Sequence, residues 1–136
     1  MSTPLHPFLV HFPIALWLAG SLTLLWAKWK PHWQATAWWM LAWAGLFAIG
    51  AAVSGYQAFS GIETPSPRLV SHQSLGILMP FLMIGCLLLR GHFYLKKTAV
   101  NAWLFIALSL LISGLLVYVA GLGGQAVYLD GSGIVV

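Results

Sequence analysis

Four apolar runs dominate the chain, at residues 8–29, 33–59, 69–89 and 100–122, and each is long enough to cross a bilayer, which takes about 20 residues. The bilayer interior offers the backbone no water, so a spanning segment must satisfy its own hydrogen bonds. Runs of this length do so as helices, because barrel strands would be only about ten residues long and would alternate in polarity. The sequence predicts an all-α membrane protein, an up-down four-helix transmembrane bundle forming one domain over residues 1–136. Pro31, the segment Thr64-Pro65-Ser66-Pro67 and the segment Gly121-Leu122-Gly123-Gly124 punctuate the spans. With 60% hydrophobic and 6% charged residues, a water-soluble globule is excluded.

The few charges set the expected orientation. Lys28 and Lys30 follow the first span, and Arg90, Lys96 and Lys97 lie between the third and fourth. The positive-inside rule makes that side cytoplasmic and places both termini, Glu63 and Arg68 outside. The opening Met-Ser-Thr-Pro-Leu-His-Pro lacks a basic n-region, so the first span is expected to be retained rather than cleaved as a signal peptide. A bacterial inner membrane is the expected location. Trp26, Trp29, Trp33, Trp38 and Trp103 mark the inner boundary. The net charge of +4 comes from a scarcity of acids, not from a basic surface, which argues against a nucleic-acid partner.

Several chemistries are disfavoured by what the spans lack. Glu63 and Asp130 both lie outside them, leaving no mid-membrane carboxylate for proton-coupled transport. The sequence has no Gly-x-Ser-x-Gly elbow and no His-Glu-x-x-His helix, so an enzyme is not expected. The single Cys86 permits no internal disulfide, no covalent haem attachment through Cys-x-x-Cys-His and no thiolate cluster. Ser54, Gln57, Ser109 and Ser113 are expected to bond to helix carbonyls or neighbouring helices.

The five histidines carry the functional reading. His32 and His92 sit among cations near the inner boundary, as solvated headgroup residues. His11, about one turn inside the first helix, and His72, in the first turn of the third, share a depth near the outer face. In an up-down bundle these helices occupy a diagonal of roughly 11–14 Å. Ala15 and Ala19 follow His11 on its face and Gly76 follows His72, and such small residues could leave a slot for a flat macrocycle. His11 and His72 are the expected axial ligands. His6, five residues before His11, points about 140° away on a continuous helix, and is expected to touch a haem propionate or, if Pro7 bends the chain, to join a metal site.

Residues 123–136 are too short and Gly-rich for a fifth span. Asp130-Gly131 flanked by apolar residues predicts a short hairpin or loop on the outer face that buries Val127, Ile134 and Val135.

The segment Leu5-His6-Pro7, with Val10-His11-Phe12-Pro13-Ile14-Ala15, the helix start at His72 and the ending Gly123-Gly124-x-x-Val127-Tyr128-x-x-Gly131, resembles the bacterial membrane family catalogued as domain of unknown function 2231. The resemblance covers nearly the whole chain. It implies a small four-helix protein associated with Rieske or cytochrome modules, hence membrane electron transfer. Ile62-Glu63-Thr64 departs from the Asp expected soon after the helix 2 glycine, and no role is carried onto Glu63.

The expected function is that of a b-type membrane cytochrome holding haem b noncovalently. It would pass electrons between a quinol or membrane redox enzyme and a periplasmic cytochrome or Rieske protein. The alternatives are a copper or zinc site of His6, His11 and His72, or a cofactor-free anchor or assembly subunit that docks through the small-residue face of helix 2. A homo-oligomer is a further partner class.

Overall fold

The computed structural model describes residues 5–131. Four helices follow one another with short connections: α1 Leu5–Trp26, α2 Gln34–Ser60, α3 Pro67–Leu95 and α4 Ala102–Tyr128, with a single 3-10 turn at Pro31–Trp33 leading into α2. All four are long and apolar enough to cross a membrane, so the chain is a multi-pass membrane protein in a lipid bilayer.

Local chemistry sets the helix ends. The Ser66 hydroxyl accepts the Leu69 N–H at 3.2 Å while Pro67 fills the first helical position, where its missing N–H costs nothing. The Asn101 side chain accepts the Trp103 N–H at 3.0 Å and starts α4. The end of α3 is closed by Lys97 in the left-handed region (φ 51°): the Lys97 N–H bonds the Tyr94 carbonyl and the Thr98 N–H bonds the Phe93 carbonyl, each at 3.1 Å.

Two boundaries differ from expectation. Helix α3 runs past Leu89 to Leu95, because Arg90 need not leave the helix to reach a polar level. Its guanidinium lies over the rings of Trp38 (5.4 Å) and Tyr94 (5.3 Å). Trp38 is therefore turned into the bundle and half-buried, not placed in the boundary belt with Trp26, Trp29, Trp33 and Trp103, which are exposed. Helix α4 does not stop at Leu122 but continues through Gly123 and Gly124 to Tyr128, since glycine is tolerated in membrane helices. Val127 is thus helical and cannot flank a hairpin. Among the described residues there is no strand. Asp130 instead pairs with Arg68, tying the end of α4 to the start of α3. Ile134 and Val135 lie outside the described residues.

Helices α1 and α3 each pack against α2 and α4 and not against each other, so they occupy a diagonal of the bundle. The middle of the bundle is filled by Trp17, Leu41, Met83 and Ile106, all at most 2% exposed. Gly20 lets α2 approach α1, for a Cβ there would stand 3.0 Å from the Leu41 side chain. The α1–α4 seam is polar: the Trp17 indole N–H (3.0 Å), the Ser21 hydroxyl (3.3 Å) and the Ser113 hydroxyl (2.8 Å) all donate to the Ser109 carbonyl. Outward-facing Leu22, Leu46, Phe81, Leu88 and Leu111 leave an apolar exterior that lipid must cover.

Candidate functional site

The bundle has a histidine end, where α1 and α3 begin and α2 and α4 finish, and a lysine end, which carries Lys28, Lys30, Arg90, Lys96 and Lys97. At the first, α1 starts at Leu5 without a bend at Pro7, so His6 lies on the inward face and meets His72 from the diagonal helix. Their ring centres are 6.0 Å apart, with an interplanar angle of 68°.

Each ring is held by the next helix in sequence. His6 Nδ1 donates to the Ala51 carbonyl of α2 at 3.0 Å, with the Ser54 hydroxyl at 3.2 Å. His72 Nδ1 donates to the Val119 carbonyl of α4 at 2.8 Å. A carbonyl only accepts, so each ring carries a proton on Nδ1, and Nε2 is the nitrogen left to offer a lone pair to a ligand. Four residues beyond each carbonyl comes a glycine that the ring rests upon. A Cβ on Gly55 would stand 2.7 Å from His6 Cε1, and one on Gly123 would stand 2.8 Å from His72 Cε1. The two halves, α1 with α2 and α3 with α4, therefore build the same cradle twice. Each first helix also carries a buried interior proline, Pro13 or Pro80, about two turns below its histidine.

The expected pair does not form in this way. His11 is exposed, and its Nδ1 donates to the Pro7 carbonyl one turn back on its own helix. The cause is angular: with His6 inward on a continuous helix, His11 must point outward. Ala15 and Ala19, on the His11 face, are exposed as well. Gly76, below His72, is half-buried, and a Cβ there would meet nothing within 4 Å. Among the described residues no three His, Cys, Asp or Glu side chains converge, so the expected site of His6, His11 and His72 reduces to its first and last members. His32 and His92 are exposed at the lysine end.

Depth along α1 does not distinguish His6 from His11. The signal in the sequence is a recurrence: a histidine at the start of one helix, a proline further down it, and a glycine near the end of the next.

A family model described as "Predicted membrane protein (DUF2231)" matches residues 2–135. No curated protein and no solved structure matches the chain.

Proposed function

The chain belongs to the DUF2231 family of predicted membrane proteins, and we propose that it serves its membrane as an electron carrier of b-cytochrome type, with His6 and His72 as the axial ligands of one noncovalent haem. The observation that carries this reading is the pairing of two imidazoles with both Nδ1 protons committed to backbone carbonyls. That is the outer hydrogen bond that fixes the tautomer and orientation of metal-ligating histidines and raises their basicity. The ring centres of His6 and His72 lie 6.0 Å apart, close enough for both imidazoles to serve one bound group.

Haem ligated by two histidines supplies a one-electron couple. The residues of the chain would hold it: the Ala51 and Val119 carbonyls orient the imidazoles, and Gly55 and Gly123 admit the rings between helices. With the lysine end cytoplasmic under the positive-inside rule, the site lies near the outer face of a bacterial inner membrane and both termini are external. Electrons would then pass between a quinol or membrane enzyme and a periplasmic cytochrome or Rieske protein.

One observation favours a second reading. The two ring centres stand only 6.0 Å apart in an edge-to-face arrangement, and Ala15 and Ala19, the expected floor of a slot, are exposed. A bare copper ion between two imidazoles asks for less space than a macrocycle. Protein expressed with ample haem and purified in detergent separates them by optical spectrum, pyridine haemochrome and metal analysis. A low-spin Soret band supports the haem. Stoichiometric copper without a Soret band replaces it with a metal ion, and neither sinks the cofactor reading in favour of an anchor or assembly subunit.

A further inference from the structure

At the lysine end the four helices line a partly open cavity of about 330 Å³, bounded by the last turns of α1 and α3, the first turns of α2 and α4, and the α1–α2 and α3–α4 connections. That volume falls within the range of roughly 300–1,000 Å³ typical of small-molecule sites. Apolar side chains such as Phe93 and Ile106 share its wall with Lys28, Gln34, Trp38 and Arg90.

Three features give this cavity a positive character. First, among the described residues neither Lys28 nor Arg90 is paired with a carboxylate, since Asp130 is engaged with Arg68 at the opposite end and Glu63 lies in the α2–α3 connection there. Both cations rest on aromatic faces instead, Lys28 over Trp103 at 5.2 Å and Arg90 over Trp38 and Tyr94. Stacking occupies the flat face of a guanidinium and leaves its edge N–H donors available. Second, Gln34 and Ala102 bring the N-terminal ends of α2 and α4, the positive ends of their helix dipoles, to the wall. Third, the Trp38 indole N–H is buried beside the cavity without an acceptor from the protein, a deficit that buried donors rarely carry.

We propose that this cavity binds a phosphate headgroup, with Arg90 and Lys28 as the recognition residues and the apolar wall receiving the adjoining hydrocarbon of an anionic phospholipid. Basic pockets between membrane helices at the headgroup level have this chemistry. Free phosphate offers the same oxyanion without the hydrocarbon, so the test distinguishes the two. The proposal does not depend on the histidine site.

Delipidated protein in detergent is titrated separately with phosphatidylglycerol, phosphatidylcholine and inorganic phosphate. Retained lipid is counted by native mass spectrometry, and the part of the tryptophan quenching by brominated lipid that is lost in Trp38→Phe reports proximity to Trp38, one of eight tryptophans. Phosphatidylglycerol is expected to bind in preference to phosphatidylcholine, and Arg90→Gln is expected to weaken it roughly tenfold, the loss of one charge-assisted contact. Lys30→Gln, a cation of the same end outside the cavity, is expected to leave binding unchanged. Inorganic phosphate binding as well as the lipid would keep the site and assign its ligand to the aqueous phase. If Arg90→Gln fails to fold, exposed Lys28→Gln carries the comparison. Equal binding of both lipids with no response to phosphate, or anionic-lipid binding indifferent to Arg90 and Lys28, overturns the proposal.

Discussion

His6 meets His72 edge to face across the bundle diagonal, and each ring lies on a glycine contributed by the helix that follows its own. The two imidazoles are therefore positioned by α2 and α4, although they are carried by α1 and α3. Replacing either histidine by alanine is expected to abolish a low-spin cofactor spectrum, while His11→Ala, His32→Ala and His92→Ala preserve it. Absorption spectra of the five purified variants decide this. Loss of the spectrum in His11→Ala alone would return the ligand role to the exposed histidine.

The glycines predict a sharper contrast. In Gly55→Ala and Gly123→Ala the new methyl would lie 2.7–2.8 Å from an imidazole carbon, so the ring must move and its Nδ1 bond must lengthen. A cost of about 1–3 kcal/mol is expected, as for other overpacked sites, together with weaker cofactor retention. Gly50→Ala and Gly76→Ala meet no atom within 4 Å and should be silent. Denaturation midpoints and cofactor loss on dilution provide the readouts.

Trp17→Phe should destabilise the α1–α4 seam. It removes the indole donor to the Ser109 carbonyl and part of a fully buried ring. Because Ser21 and Ser113 still donate to that carbonyl, the hydrogen-bond share is modest and the combined loss is about 1–3 kcal/mol. Unfolding in mixed detergent measures it.

Arg68→Gln or Asp130→Asn removes the pair that joins α4 to α3. The arginine is 45% exposed, so the cost to global stability should be no more than about 1 kcal/mol. The effect should instead be local, with faster amide exchange over Gln125 to Leu129 in both variants. Unchanged exchange would show that the end of α4 is held by its own backbone.

Reporter fusions after Leu95 should read cytoplasmic, and fusions at Glu63 should read external, because five of the six cations lie at one end. The reverse result would move the histidine pair to the inner face.

Hydropathy alone located the four helices and their up-down order, since each apolar run had no other way to satisfy its backbone. The ends were less legible. Arg90 looks like the edge of a span, but its place over the Trp38 and Tyr94 rings lets the helix continue past it, and Gly123-Gly124 looks like a stop although Gly123 lies inside α4 beneath His72. Which histidine of α1 faces His72 depends on rotation about the helix, which depth does not encode. An apolar sequence surrounded by lipid has little polarity contrast between inward and outward faces, so the faces of His6 and His11 could be told apart only by their partners, Ala51 and Gly55 on one side and nothing beyond Pro7 of the same helix on the other.

The repeated cradle has a thermodynamic corollary. Each hairpin orients its own imidazole, but a ligand that bridges both rings belongs to neither hairpin alone. If the proposed cofactor binds, it would act as a clasp between the two helix pairs, and its occupancy and their docking would rise and fall together. A molecule that loses its clasp would keep four inserted helices and lose part of what holds the two pairs in register, so cofactor supply would regulate tertiary assembly without altering insertion.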